Sequence, residues 1–425
     1  MSHREIQSQI DHLFRQEAGK MVAVLVHIFG ASNFELAEDV VQETLLTALK
    51  TWRLKGIPTY PKAWLYRVSK NKAIDLLRKR KHHPLFSQEG IAQQLLNSGY
   101  TIHAQMDAYW EPQHITDDFL GMMFACCHPS ISQENQVTFM LKVLGGFSIQ
   151  EIANAFITSN AVISKRLLRT KDFFRKEQIK PRLPREEELS KRINSVTSCI
   201  YLLFNEGYKS THSTTLVRQD LIDHAIYLTK TLLENEKTRF SSVYALMALF
   251  HFQGARTKSR VSSEGKLIVL KDQDRSVWDQ LLIAKGRVYL NHSLQGPLSS
   301  YHLEAGIAYE HCKAKHFKDT NWDVILAHYD KLVSMTKDPV VALHRALVIM
   351  EKEGAPAALT EIEAIEQHHV LQSYYVYHAA LGELFFRLQA IKRAIFHLKK
   401  ALSLCSAPLE KHYLNEKIEQ LSALS

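Results

Sequence analysis

Along most of the chain apolar residues recur at intervals of three and four, the spacing that gives a helix one buried face. Glycine and proline are scarce, 16 and 11 in 425 residues, and long stretches carry neither. This patterning predicts a nearly all-α protein. One segment departs from it: "GKLIVLKDQDRSVWD" (265–279) sets a short β-branched run between polar residues and predicts an extended strand or hairpin arm.

The same pattern divides the chain. Residues 5–81 read as a first helical block that ends in a basic run, 82–116 as a polar, weakly periodic linker, and 117–180 as a second compact block. The prolines and charges of "KPRLPREEE" mark the next boundary. Beyond it, 187–290 reads as one helical domain and 291–425 as another with internal repetition. "PVVALHRALVIMEKEGAPAALTEIEAI" (339–365) and "YHAALGELFFRLQAIKRAIFHLKKALSL" (377–404) each place small residues where two helices would cross. Ala357 and Ala358 precede Arg393 and Ala394 by 36 positions, near the ~34-residue period of tetratricopeptide repeats.

Two helices carry concentrated positive charge. In "GGFSIQEIANAFITSNAVISKRLLRTKDFFRK" (145–176), Ser148 and Glu151 have capping-box spacing, "ITSN" breaks the helix, and Ile163, Leu167, Thr170 and Phe174 then share one face. Lys165, Arg169, Asp172 and Lys176 repeat on the other. That is the helix-turn-helix pattern, whose second helix enters the DNA major groove; a plain helical hairpin is the alternative. In "WLYRVSKNKAIDLLRKRK" (64–81), many cations face the single acid Asp75. A helical wheel groups Arg67, Lys70, Asn71, Ile74 and Arg78, with Trp64, Leu65, Val68 and Leu76 opposite. Charge alone fits a solvated face as readily as a phosphate-binding one.

Composition narrows the class. The net charge of +9 permits a polyanionic partner without requiring one. The apolar run "MVAVLVHIF" (21–29) is far shorter than the ~20 residues that span a bilayer, and "MSHREIQSQ" lacks a signal-peptide core, so a cytoplasmic protein is expected. The five cysteines show no CxxC spacing, which argues against a zinc ribbon or a disulfide framework and for thiols in the core. "CCH" (126–128) lacks a second ligand pair for a metal. "DQDRS" (272–276) opens like a calcium loop but has Val277 and Ile283 where glycine and glutamate are required. Asp274 or Ser276 reads more simply as the cap of the following helix, with Asp279 completing a box. Asp272, Asp274, Arg275 and Trp278 stay open as a ligand or interdomain site. No metal or cofactor is expected, and the absence of a nucleophile elbow or a phosphate loop argues against an enzyme.

"AEDVVQETLLTALKTW" (37–52), "PKAWLYRVSKNKAIDLLRKRK" (61–81) and the helix pair at 145–176, in that order, resemble the extracytoplasmic-function group of the sigma-70 family. "FACCHPSISQENQVTFMLKVLGGFSIQEIANAF", "YLLFNEGY" and "LKDQDRSVWD" extend the resemblance to the subgroup with a long C-terminal tetratricopeptide-like extension. The resemblance implies a sigma region 2 bundle at 5–81, a region 4 helix-turn-helix at 117–180, and a non-enzymatic role: binding core RNA polymerase through its β′ and β subunits and directing it to promoter DNA. It implies that Asp39, Gln42, Glu43 and Leu46 dock on polymerase. Tyr60, Arg67, Lys70, Asn71 and Arg78 would meet the −10 element, with the loop 53–61 setting specificity, and Ser164, Lys165, Leu168 and Arg169 the −35 element. A protein partner for the extension is a further expectation. The competing readings are a sigma-derived DNA-binding regulator that works without core polymerase, and an enzyme in the C-terminal half.

Overall fold

The structure is a computed structural model that describes residues 3–79, 91–92, 95, 102–156, 158–209, 217–365 and 368–424. The described residues are helical, with no strand, as the patterning predicts. They form two compact units, 1–202 and 203–425.

In the first unit, α1 (His3–Phe29), α2 (Phe34–Lys55) and α3 (Pro61–Lys79) are followed by α4 (Ile102–Tyr109), α5 (Pro112–Cys126), α6 (Gln133–Val143), α7 (Ile149–Ala155) and α8 (Asn160–Lys176). A further helix, α9 (Glu186–Tyr208), begins here. The run "MVAVLVHIF" is buried nearly all round, because α2, α3 and α5 each cover part of α1. A helix apolar on every side belongs at the centre of a bundle. Among the described residues no helix is long and apolar enough to cross a membrane. Phe34, Phe139 and Phe174, from α2, α6 and α8, form a triad with ring centroids 5.1 to 5.7 Å apart. The interval expected as a linker contains α4 and the start of α5; its residues 82–90, 93–94 and 96–101 lie outside the described set, as do Arg80 and Lys81 of the basic run. Cys126 and Cys127 are fully buried, and burial holds both thiols well above their usual pKa.

The second unit contains α10 (Gln219–Glu234), α11 (Ser241–Ala255), α12 (Gln280–Ser293), α13 (Ser300–Lys313), α14 (Trp322–Thr336), α15 (Pro339–Lys352), α16 (Ala355–Glu363), α17 (His368–Leu371), α18 (Tyr375–Arg387), α19 (Ile391–Leu404) and α20 (Pro408–Ser422). Helices α18 and α19 begin 36 residues after their counterparts α15 and α16. The spacing puts Ala346 and Gly382 at matching points, and likewise Ala358 and Ala394, all four at the crossings or in the core. At Gly382 the approach is so close that a Cβ would lie 2.7 Å from Leu398.

The segment read as a strand is instead an irregular arm. Its pairing is one antiparallel bridge, Val261 with Leu267, after which Leu270–Asp272 and Arg275–Val277 are 3₁₀ turns. The "DQDR" side chains fasten it. The Gln273 amide donates to the Ile268 carbonyl at 3.0 Å, and Asp274 accepts from the Ser276 amide at 2.9 Å. Arg275 donates to the carbonyls of His311 (2.8 Å) and Ala314 (3.0 Å) at the end of α13, where the helix dipole favours a cation. The cap of α12 is Asp279, which accepts from the Leu282 amide at 3.0 Å, and not Asp274 or Ser276; those two close only the short turn before it.

Candidate nucleic-acid interface

Helix α2 buries Phe34, Ala37, Val40, Val41, Thr44, Ala48 and Trp52. The remaining arc puts Asp39, Gln42, Glu43 and Leu46 in solvent at i, i+3, i+4 and i+7. Leu46 is 55% exposed, and Leu49 on the next turn is 41% exposed. Adjacent exposed leucines beside acids are what a partner with an apolar centre and a basic rim would cover. Glu43 is not solitary: Lys72 of α3 lies 3.2 Å from it.

The chain then turns through Gly56, whose φ of 80° is in the left-handed region that favours glycine. Ile57 and Tyr60 follow, 46% and 76% exposed. On α3, Leu65, Ser69, Ala73, Ile74 and Leu77 are buried, while Arg67, Asn71, Asp75 and Arg78 form the solvent strip. The wheel therefore misplaces Ile74, which is core. Helices α1, α2 and α4 all touch α3, so the buried arc is about half the circumference and not one narrow face. Arg67 and Arg78 make no ion pair among the described residues, whereas Lys70 donates to Asp107 of α4.

Sequence reading missed a groove beside this strip. Its volume is about 630 Å³, and Lys20, Lys62, Arg67 and Lys70 line it with Tyr66 and Trp110. The fully buried Glu17 anchors it, accepting from Tyr66 and facing Lys62 at 3.1 Å and Lys20 at 3.3 Å. These partners lie up to 49 residues from Glu17, so no local motif signals them.

Helices α7 and α8 are set by their caps. Ser148 Oγ accepts from the Glu151 amide at 3.1 Å while Glu151 accepts from the Ser148 amide at 2.8 Å, the reciprocal pair expected from the spacing. Ser159 caps α8 by accepting from the Val162 amide at 3.3 Å. The buried side of α8 is Ile163, Leu167, Thr170 and Phe174. Ser164, Lys165, Leu168 and Arg169 all face solvent, with Leu168 58% exposed. Charges on α8 fall into three sets, one of them the exposed pair of Arg175 with Asp172 of the same helix at 3.2 Å. Arg166 is held by Glu134 and Lys171 by Glu38 and Glu35, whereas Lys165 and Arg169 have no ion-pair partner among the described residues.

Residues 13–83, which span α2, the Gly56 turn and α3, match sigma-70 region 2. That match supports a sigma-70 family sigma factor with a role in promoter recognition and points to a transcription initiation factor. Residues 192–294 match a family of unknown function (DUF6596). Over 395 residues the chain is 30% identical to the uncharacterized protein R00370 of Rhizobium meliloti (strain 1021), covering 92% of this chain and 91% of that one. The chain belongs to the same family as that protein. No solved structure matches it.

Proposed function

We propose that the chain is an alternative sigma factor of the extracytoplasmic-function group, which binds core RNA polymerase through α2 and brings it to promoters read by α3 and α8. The observation that carries this reading is the division of charge on α8, beside a region 2 match. Arg166 and Lys171 are paired with acids of neighbouring elements, while Lys165 and Arg169, at the promoter-facing positions, are exposed without an ion-pair partner among the described residues. In this reading 5–81 is region 2 and 117–180 is region 4, its α7–α8 pair acting as a helix-turn-helix.

Asp39, Gln42, Glu43 and Leu46 dock on the polymerase β′ subunit. Arg67 and Arg78 contact phosphates, which fixes register, and Asn71 and Tyr60 meet an unstacked base of the −10 element. Lys70 joins them only on leaving Asp107. On the −35 side Lys165 and Arg169 reach guanine edges, with Ser164 and Leu168 between them. The extension, 187–425, with tetratricopeptide-like hairpins, regulates the sigma module or recruits a protein partner.

The test is reconstitution of the purified chain with core polymerase on genomic DNA and mapping of transcript starts. Starts that share a two-part upstream sequence support the reading. DNA binding without co-purification of core enzyme would favour a regulator that acts without polymerase.

A further inference from the structure

We propose that the C-terminal unit holds a binding site for a small amphipathic monoanion, a carboxylic acid with an aromatic or aliphatic body. The site lies between the arm at Val269–Lys271 and helices α14, α15, α18 and α20. It goes beyond the sigma-factor reading and does not depend on it.

The space is a cavity of about 380 Å³, within the range of about 300–1,000 Å³ typical of small-molecule sites. One side is apolar and largely aromatic, from Phe317, Trp322, Tyr329, Leu347 and Val348. The other side is charged and unevenly so. Glu383 is shared by Lys417, by Arg387 at 3.2 Å and by Lys271 at 3.6 Å, and Arg387 also meets Glu351 at 2.5 Å. Three cations thus face two carboxylates. The side chains are partly shielded, Glu383 and Lys417 each 18% exposed, so the surplus charge is less screened than on an open surface. A ligand carboxylate would balance it; a neutral or cationic ligand would not.

One further group on the wall lacks a hydrogen-bond partner among the described residues. His311, on the cavity wall, is 8% exposed, and its Nδ1 is buried with no hydrogen bond among the described residues. Burial, with Arg256 and Arg275 nearby, lowers its pKa to about 3, so the ring stays neutral. A buried orphan nitrogen is uncommon in a native fold and points to a partner yet to arrive. Behind Phe317, 5.9 Å from its ring, stands the Arg275 guanidinium, whose bonds go to neutral carbonyls and to Thr320. Asp319 offsets part of its charge, so the surplus at the cavity rests on Lys271, Arg387 and Lys417 against Glu351 and Glu383.

The arm selects the size of the occupant. Lys266 is tied to Glu416 at 2.7 Å and Lys271 reaches Glu383, so two ion pairs hold the arm against α20 and α18, with Val269, Leu270 and Lys271 forming one wall of the cavity. A compact acid fits beneath it.

The experiment is titration calorimetry on the full chain with octanoate, 4-phenylbutyrate and indole-3-propionate, each beside its primary amide. At least one acid should bind at a single site, and its amide should bind at least about tenfold more weakly, the value of a charge-assisted contact. Lys271→Met, on the exposed arm, and Lys417→Met should each weaken the acid by about tenfold or more. Trp322→Phe should remove the fluorescence change that accompanies binding. Circular dichroism of each variant verifies that the chain is folded, and Lys271→Met decides the matter if Lys417→Met is not. Acids that fail to bind at millimolar concentration, amides that bind equally, or binding that survives Lys271→Met would overturn the proposal.

Discussion

The Lys171 ammonium lies 2.7 Å from the Glu38 carboxylate, tying α8 to α2 one residue away from Asp39, with both side chains only 15% exposed. Lys171→Met keeps the aliphatic stem and removes the charge, leaving a half-buried carboxylate with less compensation. The expected cost is about 1–3 kcal/mol. Hydrogen exchange of the α2 and α8 amides should read it; unchanged protection would mean the pair contributes nothing.

Gly19 sits mid-helix in α1, where alanine would ordinarily stabilise by up to about 1 kcal/mol. Here a Cβ would meet the Leu144 carbonyl oxygen at 2.3 Å, and backbone cannot swing aside. Gly19→Ala should therefore destabilise, by about 1–3 kcal/mol, lowering the first thermal transition of the chain. A rise in that transition would show that α1 and the end of α6 separate easily.

Arg169 and Arg166 share a helix but not a role. Arg169→Ala should leave unfolding unchanged and weaken transcription from the cognate promoter, by about 1–3 kcal/mol in discrimination at one base pair. Arg166→Ala, which strips Glu134 of its partner, should affect promoter output less. Equal losses from the two would place DNA recognition elsewhere.

How much of this could be read from the chain depends on the range of the interaction. The buried face Ile163, Leu167, Thr170 and Phe174 and the Ser148–Glu151 box were legible because partners lie within a turn or two of each other. The fate of Lys70 was not. Its partner Asp107 is 37 residues away across an interval that carries little periodicity. Ile74 failed for a related reason: a wheel assumes one covering neighbour, and α3 has three. The β-branched pair Ile268 and Val269 met no second strand among the described residues, so a side-chain preference for extended backbone produced a clamped arm and not a sheet.

Acid should destabilise the C-terminal unit. The His311 imidazole is neutral in the fold down to a pH of about 3, whereas in the unfolded chain it titrates near its ordinary value. Below that ordinary value the unfolded state binds the extra proton, so stability is fully present above about pH 6.5 and falls as pH drops, by about 1.4 kcal/mol per unit for this group. Burial lowers His251, His328, His344 and His397 in the same direction. His311→Gln should flatten the slope of stability against pH between 6 and 4 as followed by urea unfolding; an unaltered slope would contradict the assignment.

The triad of Phe34, Phe139 and Phe174 sets a limit on reach. A unit of 202 residues has a radius of gyration of roughly 16 Å when compact, while promoter elements centred 25 base pairs apart are separated by about 85 Å of duplex at 3.4 Å per pair. A chain that reads both at once must pull α8 and α6 off α2, prying the three rings apart and wetting them. On the sigma-factor proposal, engagement with polymerase would carry that toll, and the aromatic contact would be the latch on which it falls. A fluorophore pair on α3 and α8 should report the latch opening as polymerase binds.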